Sequence, residues 1–233
     1  MMAEASDRLR KIAIAAADMV SDGQVVGLGT GRAATAFIHA LAERVRQGLS
    51  IRGVPTSIES AELAQQLGIP LTTLEEVGRL DIDVDGADEV DPAGNLIKGW
   101  GGALVRERIV AASADRLIIV VGTEKLVPVL GTRGRLPVEV VPFGLPLVSR
   151  RLEALGCPAE PRMQDGKLWL SDNGNAILDC RVTALEDPQQ LEQQIINIPG
   201  VVGTGLFLGM TDTVLIQDGD EVVVRPVRTA ARA

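Results

Sequence analysis

Three segments of this chain concentrate the residue types that chemistry needs. The first is Gly27-Leu28-Gly29-Thr30-Gly31-Arg32-Ala33-Ala34-Thr35. Glycines let a backbone turn sharply and admit a ligand, and a helix that starts there offers N–H groups to an anion. A dinucleotide fingerprint wants Gly where Arg32 stands, and it wants an acid where Pro55-Thr56-Ser57 follows the next strand. A Walker loop needs Gly-Lys-Ser/Thr, which is absent. The loop therefore suits a phosphate but neither nucleotide pattern, and a plain tight turn is the alternative.

The second segment, Asp81-Ile82-Asp83-Val84-Asp85-Gly86-Ala87-Asp88-Glu89-Val90-Asp91, holds six acids in eleven residues. On a strand, Asp81, Asp83 and Asp85 share one face. Such carboxylates repel one another, so they need solvent, cations or a task. The run opens like a calcium loop and departs from it at Asp88 and Pro92. It is either a solvated acidic loop or a site at the carboxyl end of a parallel strand. In the third segment, Lys98-Gly99-Trp100-Gly101-Gly102 leads into Ala103-Leu104-Val105-Arg106-Glu107. Three glycines beside a lysine supply backbone donors and a cation for an oxyanion or phosphate. Glu107, with Ala103 and Ala111 one turn away on either side, is either an approachable base or a surface charge.

Composition narrows the choice. The 233 residues include 23 Lys+Arg and 31 Asp+Glu, a net charge of −8, with one His, no Tyr, two Trp, three Phe and two Cys. Serine–His triads, multi-His zinc sites and aromatic base-stacking platforms are disfavoured. The acidity argues against a nucleic-acid partner. Cys157 and Cys180 read as reduced and buried. The polar start Met1–Asp7 is unlike a signal peptide, and no apolar run reaches the roughly 20 residues a membrane span needs. The expectation is a cytoplasmic protein with no membrane partner.

These segments need elements to position them. The pattern predicts helices over 7–21, 33–47, 61–67 and 103–112, and strands over 24–28, 51–54, 80–84 and 116–121. Alternating strands and helices imply a parallel sheet covered on both faces. After Gly131 the pattern predicts strand 138–141, helix 145–155, strands 167–170 and 176–181 joined by an Asp172-Asn173-Gly174 hairpin turn, helix 188–196 and a strand from Val201. A tail hairpin, 213–216 with 221–224, returns to the first domain. The expected fold is α/β: a Rossmann-like parallel-sheet domain (1–130 plus 207–233) with an inserted α+β domain (131–206) of split βαβ, ferredoxin-like plan.

In this order and spacing, the three segments resemble ribose-5-phosphate isomerase of the A type. That family carries a Gly-Thr-Gly loop, an Asp-Gly-Ala-Asp-Glu motif and a Lys-Gly-Gly-Gly stretch followed by Arg-Glu. The likeness continues through Asp172-Asn173-Gly174-Asn175-Ala176-Ile177-Leu178-Asp179 and through Ile198-Pro199-Gly200-Val201-Val202-Gly203-Thr204-Gly205-Leu206-Phe207. It implies interconversion of ribose 5-phosphate and ribulose 5-phosphate in the pentose phosphate pathway, without metal or organic cofactor, by a homodimer or homotetramer. By motif, Glu107 is the general base. Asp85 and Asp88 handle hydroxyl protons and ring opening, and Lys98 faces negative charge. Thr30, Gly31, Arg32 and Ala33, then Gly86 and Ala87, then Gly99, Trp100 and Gly101 line the sugar phosphate, and Lys125 is a further binding lysine.

The residue types suit that reaction, in which one carboxylate carries a proton between C2 and C1 of an enediolate while donors hold its oxygens. Two departures stand out. Arg32-Ala33 replaces a Ser-Thr pair, so Arg32 either grips the phosphate or turns outward. Trp100 replaces a glycine, and its indole either covers the site or packs on the sheet. His39 and Trp169 read as structural, and Thr56-Ser57 either touches substrate or caps the next helix. The competing class is a sugar-phosphate sensor of DeoR-repressor type without catalysis, disfavoured by Glu107 and by the lack of a helix-turn-helix segment. A dehydrogenase is weakened by the missing fingerprint.

Overall fold

The computed structural model describes residues 2–227, with side chains from Leu9 onward. Six strands form the main sheet in the order 221–226, 213–218, 117–122, 82–85, 25–28, 52–55. All neighbours are parallel except the edge strand Glu221–Pro226, which pairs antiparallel with Thr213–Asp218. The inner strands Val25–Leu28 and Leu117–Gly122 are apolar runs because both faces are covered, whereas Ile82–Asp85 alternates apolar residues with two buried acids. On one face Val26, Leu28, Ile82, Val84, Ile118 and Val120 pack with Ile12, Phe37, Ile38 and Leu41 of the helices Met2–Ala17 and Arg32–Arg46. On the other, Val25 and Leu80 meet Val110 and Ala114, at the end of the helix Leu104–Ser113. Fully burying a side chain such as Phe37 or Leu41 is worth about 1.5–3 kcal/mol.

Two helix boundaries differ from expectation for local reasons. The first helix ends at Ala17 rather than 21, because the chain tightens there: Met19 N–H bonds Ala16 C=O and Val20 N–H bonds Ala17 C=O. The third starts at Ile58 rather than 61, because the Ser57 side chain accepts the Ser60 N–H and caps it. Of the alternatives for Thr56-Ser57, capping is what Ser57 does.

The chain divides into two units. One comprises residues up to Ala87, Arg106–Lys125 and the segment from Gly209; the other comprises Asp88–Val105 and Leu126–Leu208. The break expected near 131 and the return at 207 are thus displaced, and residues 228–233 of the expected return lie outside the described residues. The reason is pairing. Strands Glu89–Val90 and Leu96–Ile97 do not join the parallel sheet but form a small antiparallel sheet with Leu206–Phe207, and Val90 bridges Leu126. Ile97 is buried in the core of the second unit with Leu136, Val138 and Leu178.

The second unit has a four-stranded antiparallel sheet ordered 201–204, 135–140, 176–181, 159–161, with helices Leu145–Ala154 and Pro188–Ile196 in the connections. This is the split βαβ plan. Its second strand is Ala159–Pro161, not 167–170. The hairpin expected around Asp172-Asn173-Gly174 shrinks to a single bridge, Leu170 with Ala176, because both edges of Ala176–Arg181 are already paired. Lys167–Leu168 instead pairs with Met163–Gln164.

Glu89 ties this unit together. It is fully buried, and its two carboxylate oxygens accept the N–H groups of Gly131 at 2.6 Å and Arg133 at 2.7 Å. Burial raises its carboxyl above the ordinary value, and the two N–H groups offset part of that rise. Glu89→Gln would set an NH2 against one of these donors. We expect a loss of about 1–3 kcal/mol, read as a lower urea midpoint with unchanged slope.

Candidate active site

In the larger unit the site begins with two glycines and two acids. Asp83 pairs with Gly27 across the parallel ladder. A Cβ on Gly27 would run into the Asp83 carboxylate, and one on Gly29 into that of Asp85. These glycines make room for buried acids, where the sequence reading had them admit a ligand. Asp85 is 1% exposed, and its Oδ1 accepts the N–H of Thr30 at 3.1 Å and of Gly86 at 2.7 Å. The carboxylate thereby draws the Gly-Thr-Gly turn down onto the end of its own strand. Asp81 does the same lower down, accepting the Val25 N–H at 2.7 Å.

Gly31 then turns the chain at φ 94°, and the helix Arg32–Arg46 starts with no side-chain cap. Ser57, Thr73 and Asp187 do cap their helices. An uncapped start leaves its first N–H groups for an anion. Ala33 lies against Gly86, where an added Cβ would stand 3.6 Å from that of Ala33. Arg32 is exposed and lines a groove of about 620 Å³ between the first two helices, with Arg10, Thr35 and His39.

Hydroxyls buttress the turn from behind. Thr30 Oγ1 lies 2.7 Å from Thr56 Oγ1 and donates to Ser57 Oγ at 2.9 Å. Ser57 donates to Ser60 Oγ, and Ser60 to the Gly29 carbonyl at 2.6 Å. Thr56 donates to the Leu28 carbonyl.

Glu107 is 5% exposed, in the first turn of the helix Leu104–Ser113. That helix connects two adjacent parallel strands, so it runs back against them and begins at their carboxyl ends. Val110, one turn later, lies over Gly27 beside Asp83. Glu107 therefore sits on the same face as Asp83 and Asp85, one turn nearer the strand ends. Lys125 closes the 3₁₀ turn Thr123–Lys125 after strand Leu117–Gly122, partly exposed.

In the smaller unit, Asp88 Oδ2 accepts the Trp100 N–H at 2.9 Å. Lys98 is 3% exposed, with its Nζ 5.6 Å from the centre of the Phe207 ring. The Trp100 indole packs between the guanidinium groups of Arg133 and Arg135, at 5.4 and 5.5 Å, so it is spent on the smaller unit's own arginines. Trp169, expected to pack within this unit, does so against Gly102, where an added Cβ would strike its ring.

Sequence reasoning missed Arg162. Its Nε and Nη2 grip both oxygens of Asp179, and its Nη1 and Nη2 donate to the carbonyls of Trp100 and Gly99. Arg135 Nη2 also reaches Asp179, at 2.7 Å. Burial pushes the Asp179 carboxyl up, but the hydrogen bonds and charges of Arg162 and Arg135 outweigh it and hold the group below its ordinary value. The only sequence signal was an arginine beside strands of alternating pattern, with nothing to mark its partner. His39 is exposed on its helix. Cys157 and Cys180 are free thiols, both buried, and burial pushes both thiols up.

The fold and these groups place the chain among α/β proteins that take small ligands at the carboxyl ends of a parallel sheet. The family model of ribose 5-phosphate isomerase A (phosphoriboisomerase A) matches residues 52–221. Ribose-5-phosphate isomerase A of Roseiflexus sp. (strain RS-1) is 51% identical over 207 residues, covering 88% of this chain and 89% of that one. The solved ribose 5-phosphate isomerase A of Methanocaldococcus jannaschii superposes with a TM-score of 0.90 at 41% identity, covering 94% of this chain and 98% of that one. A ribose-5-phosphate isomerase in complex with phospho-erythronic acid gives 0.90 at 37% identity and the same coverage. The chain belongs to the ribose 5-phosphate isomerase A family of enzymes. Among the described residues, no helix is long and apolar enough to cross a membrane.

Two outcomes follow from this geometry. Gly29→Ala should displace Asp85 and abolish turnover. Gly48→Ala, at φ 107° with open space around it, should cost only backbone strain and leave turnover intact. Asp179, with its folded value depressed, adds stability that is present above pH 3.8 and lost as pH falls below it. Acid titration followed by circular dichroism should show that loss in the parent and not in Asp179→Asn.

Proposed function

We propose that this protein interconverts D-ribose 5-phosphate and D-ribulose 5-phosphate through an enediolate. The observation that carries the chemistry is Asp85: a carboxylate buried at a strand end, held by two backbone N–H groups, directly under an uncapped helix start. Family membership supports the substrate.

In this reading Glu107 removes the C2 proton and returns it to C1 on the same face of the intermediate. Its carboxylate is buried in the first turn of its helix, where bulk water competes little for the transferred proton. Asp85 moves the hydroxyl proton between O1 and O2, and Asp88 assists ring opening. Lys98 and the glycine N–H groups of the Gly99–Gly101 loop hold the negative oxygens of the enediolate. The turn from Thr30 to Ala33 takes the substrate, with the helix N–H groups and the exposed Arg32 on the phosphate, and Lys125 adds a further cation. Gly86 and Ala87 leave the sugar room beside Asp85.

Chain continuity supports this set of residues: Asp88 follows Asp85 by three residues, and Glu107 follows the Gly99–Gly101 loop by six. We further infer a cytoplasmic enzyme of the non-oxidative pentose phosphate pathway, acting as a homodimer or homotetramer.

The test is direct. Purified protein, pretreated with a chelator, should convert ribose 5-phosphate to ribulose 5-phosphate. Glu107→Gln should lower kcat by about 10³-fold or more while still binding phospho-erythronic acid. Binding of that ligand by the parent without any turnover would support the sensor instead.

A further inference from the structure

The Gly99–Trp100 peptide unit is held at both ends. Its carbonyl accepts from Arg162 Nη2 at 3.3 Å, and its N–H donates to Asp88 Oδ2 at 2.9 Å. The next carbonyl, of Trp100, accepts from Arg162 Nη1 at 3.1 Å. The peptides are trans, so a carbonyl turned toward Arg162 turns the N–H of its own peptide unit away. The Trp100 N–H is thereby aimed at Asp88, and the Gly101 N–H is directed away from the guanidinium.

Arg162 is itself constrained. Its side chain is 13% exposed, Asp179 takes its Nε and Nη2 at 3.0 and 2.7 Å, and its guanidinium stacks on Trp169 at 5.4 Å. Trp169 in turn fills the space over Gly102. A planar fork with five donors can serve a carboxylate and two carbonyls at once; a lysine ammonium cannot.

We propose that Arg162, aimed by Asp179, is a positioning residue for the reaction: it fixes the backbone of the Lys98–Gly101 loop, and through one peptide unit it fixes the Asp88 carboxylate. The proposal rests on the reading that this loop and Asp88 meet the sugar. It adds that loop geometry is imposed from behind, by a residue that does not touch substrate. Because the phosphate is held elsewhere, loosening this loop should affect the transition state more than ground-state binding.

The experiment measures kcat and KM for ribose 5-phosphate, and affinity for phospho-erythronic acid, in the parent, Arg162→Lys, Asp179→Asn and Arg181→Ala. Arg181 pairs with Glu160 on the exposed surface and serves as the control. We expect Arg162→Lys to lower kcat about 10- to 100-fold, with KM and phospho-erythronate affinity within about threefold. Asp179→Asn should show the same split in smaller degree, and Arg181→Ala no change. A folded Arg162→Lys with parental kcat overturns the proposal. So does a loss confined to KM. If Arg162→Lys does not fold, unchanged kcat in Asp179→Asn overturns it equally. Absence of turnover in the parent would instead overturn the isomerase reading, so the two failures are distinguishable.

Discussion

The interaction on which this structure rests is the hydrogen bond from a backbone N–H to a carboxylate. The acids between Asp81 and Asp91 make it repeatedly. Asp81 takes Val25, Asp85 takes Thr30 and Gly86, Asp88 takes Trp100, Glu89 takes Gly131 and Arg133, and Asp91 takes Asn95. Charged acceptors make stronger hydrogen bonds than neutral ones, and the bonds from Val25, Thr30, Gly131 and Arg133 also draw distant stretches of chain onto this segment. An acidic cluster that would repel itself in solution becomes a set of attachment points. Two of the catalytic candidates, Asp85 and Asp88, belong to that set, so groups that shape the site are also groups proposed to act in it.

This changes what the glycines mean. Gly27 and Gly29 look from sequence like part of one ligand-binding loop with Gly31. In the structure they differ. Gly27 and Gly29 leave volume for Asp83 and Asp85, whereas Gly31 adopts a left-handed turn with open space around it. A strand end that buries two carboxylates needs a neighbour without side chains, and the spacing of two along both strands follows from the shared pleat.

The parallel sheet was legible because its strands Val25–Leu28 and Leu117–Gly122 are apolar runs and its helices carry a clear period. The acids and the helix start were legible because their residue types are rare in combination. Other features depended on partners far along the chain. Nothing in Glu89-Val90 or Leu96-Ile97 announces Leu206-Phe207 as the pairing strand. The turn at Asp172-Asn173-Gly174 was read correctly as a turn but assigned a hairpin, since a single chain does not show that both edges of Ala176–Arg181 are taken. Arg162 was invisible for the same reason: its importance lies wholly in where Asp179, Gly99 and Trp100 arrive.

The hydroxyls behind the Thr30 turn have a direction. Thr30 donates to Ser57, Ser57 to Ser60, and Ser60 to a carbonyl; Thr56 donates to another carbonyl. Turning any one of these four hydroxyls breaks a link to a neighbour or strips a donor from the carbonyl of Gly29 or Leu28, so they loosen together or not at all. Because Ser57 also caps the helix Ile58–Gln66, the position of the turn is tied to the position of that helix. The loop thereby carries the stiffness of a second element lying more than twenty residues further along the chain.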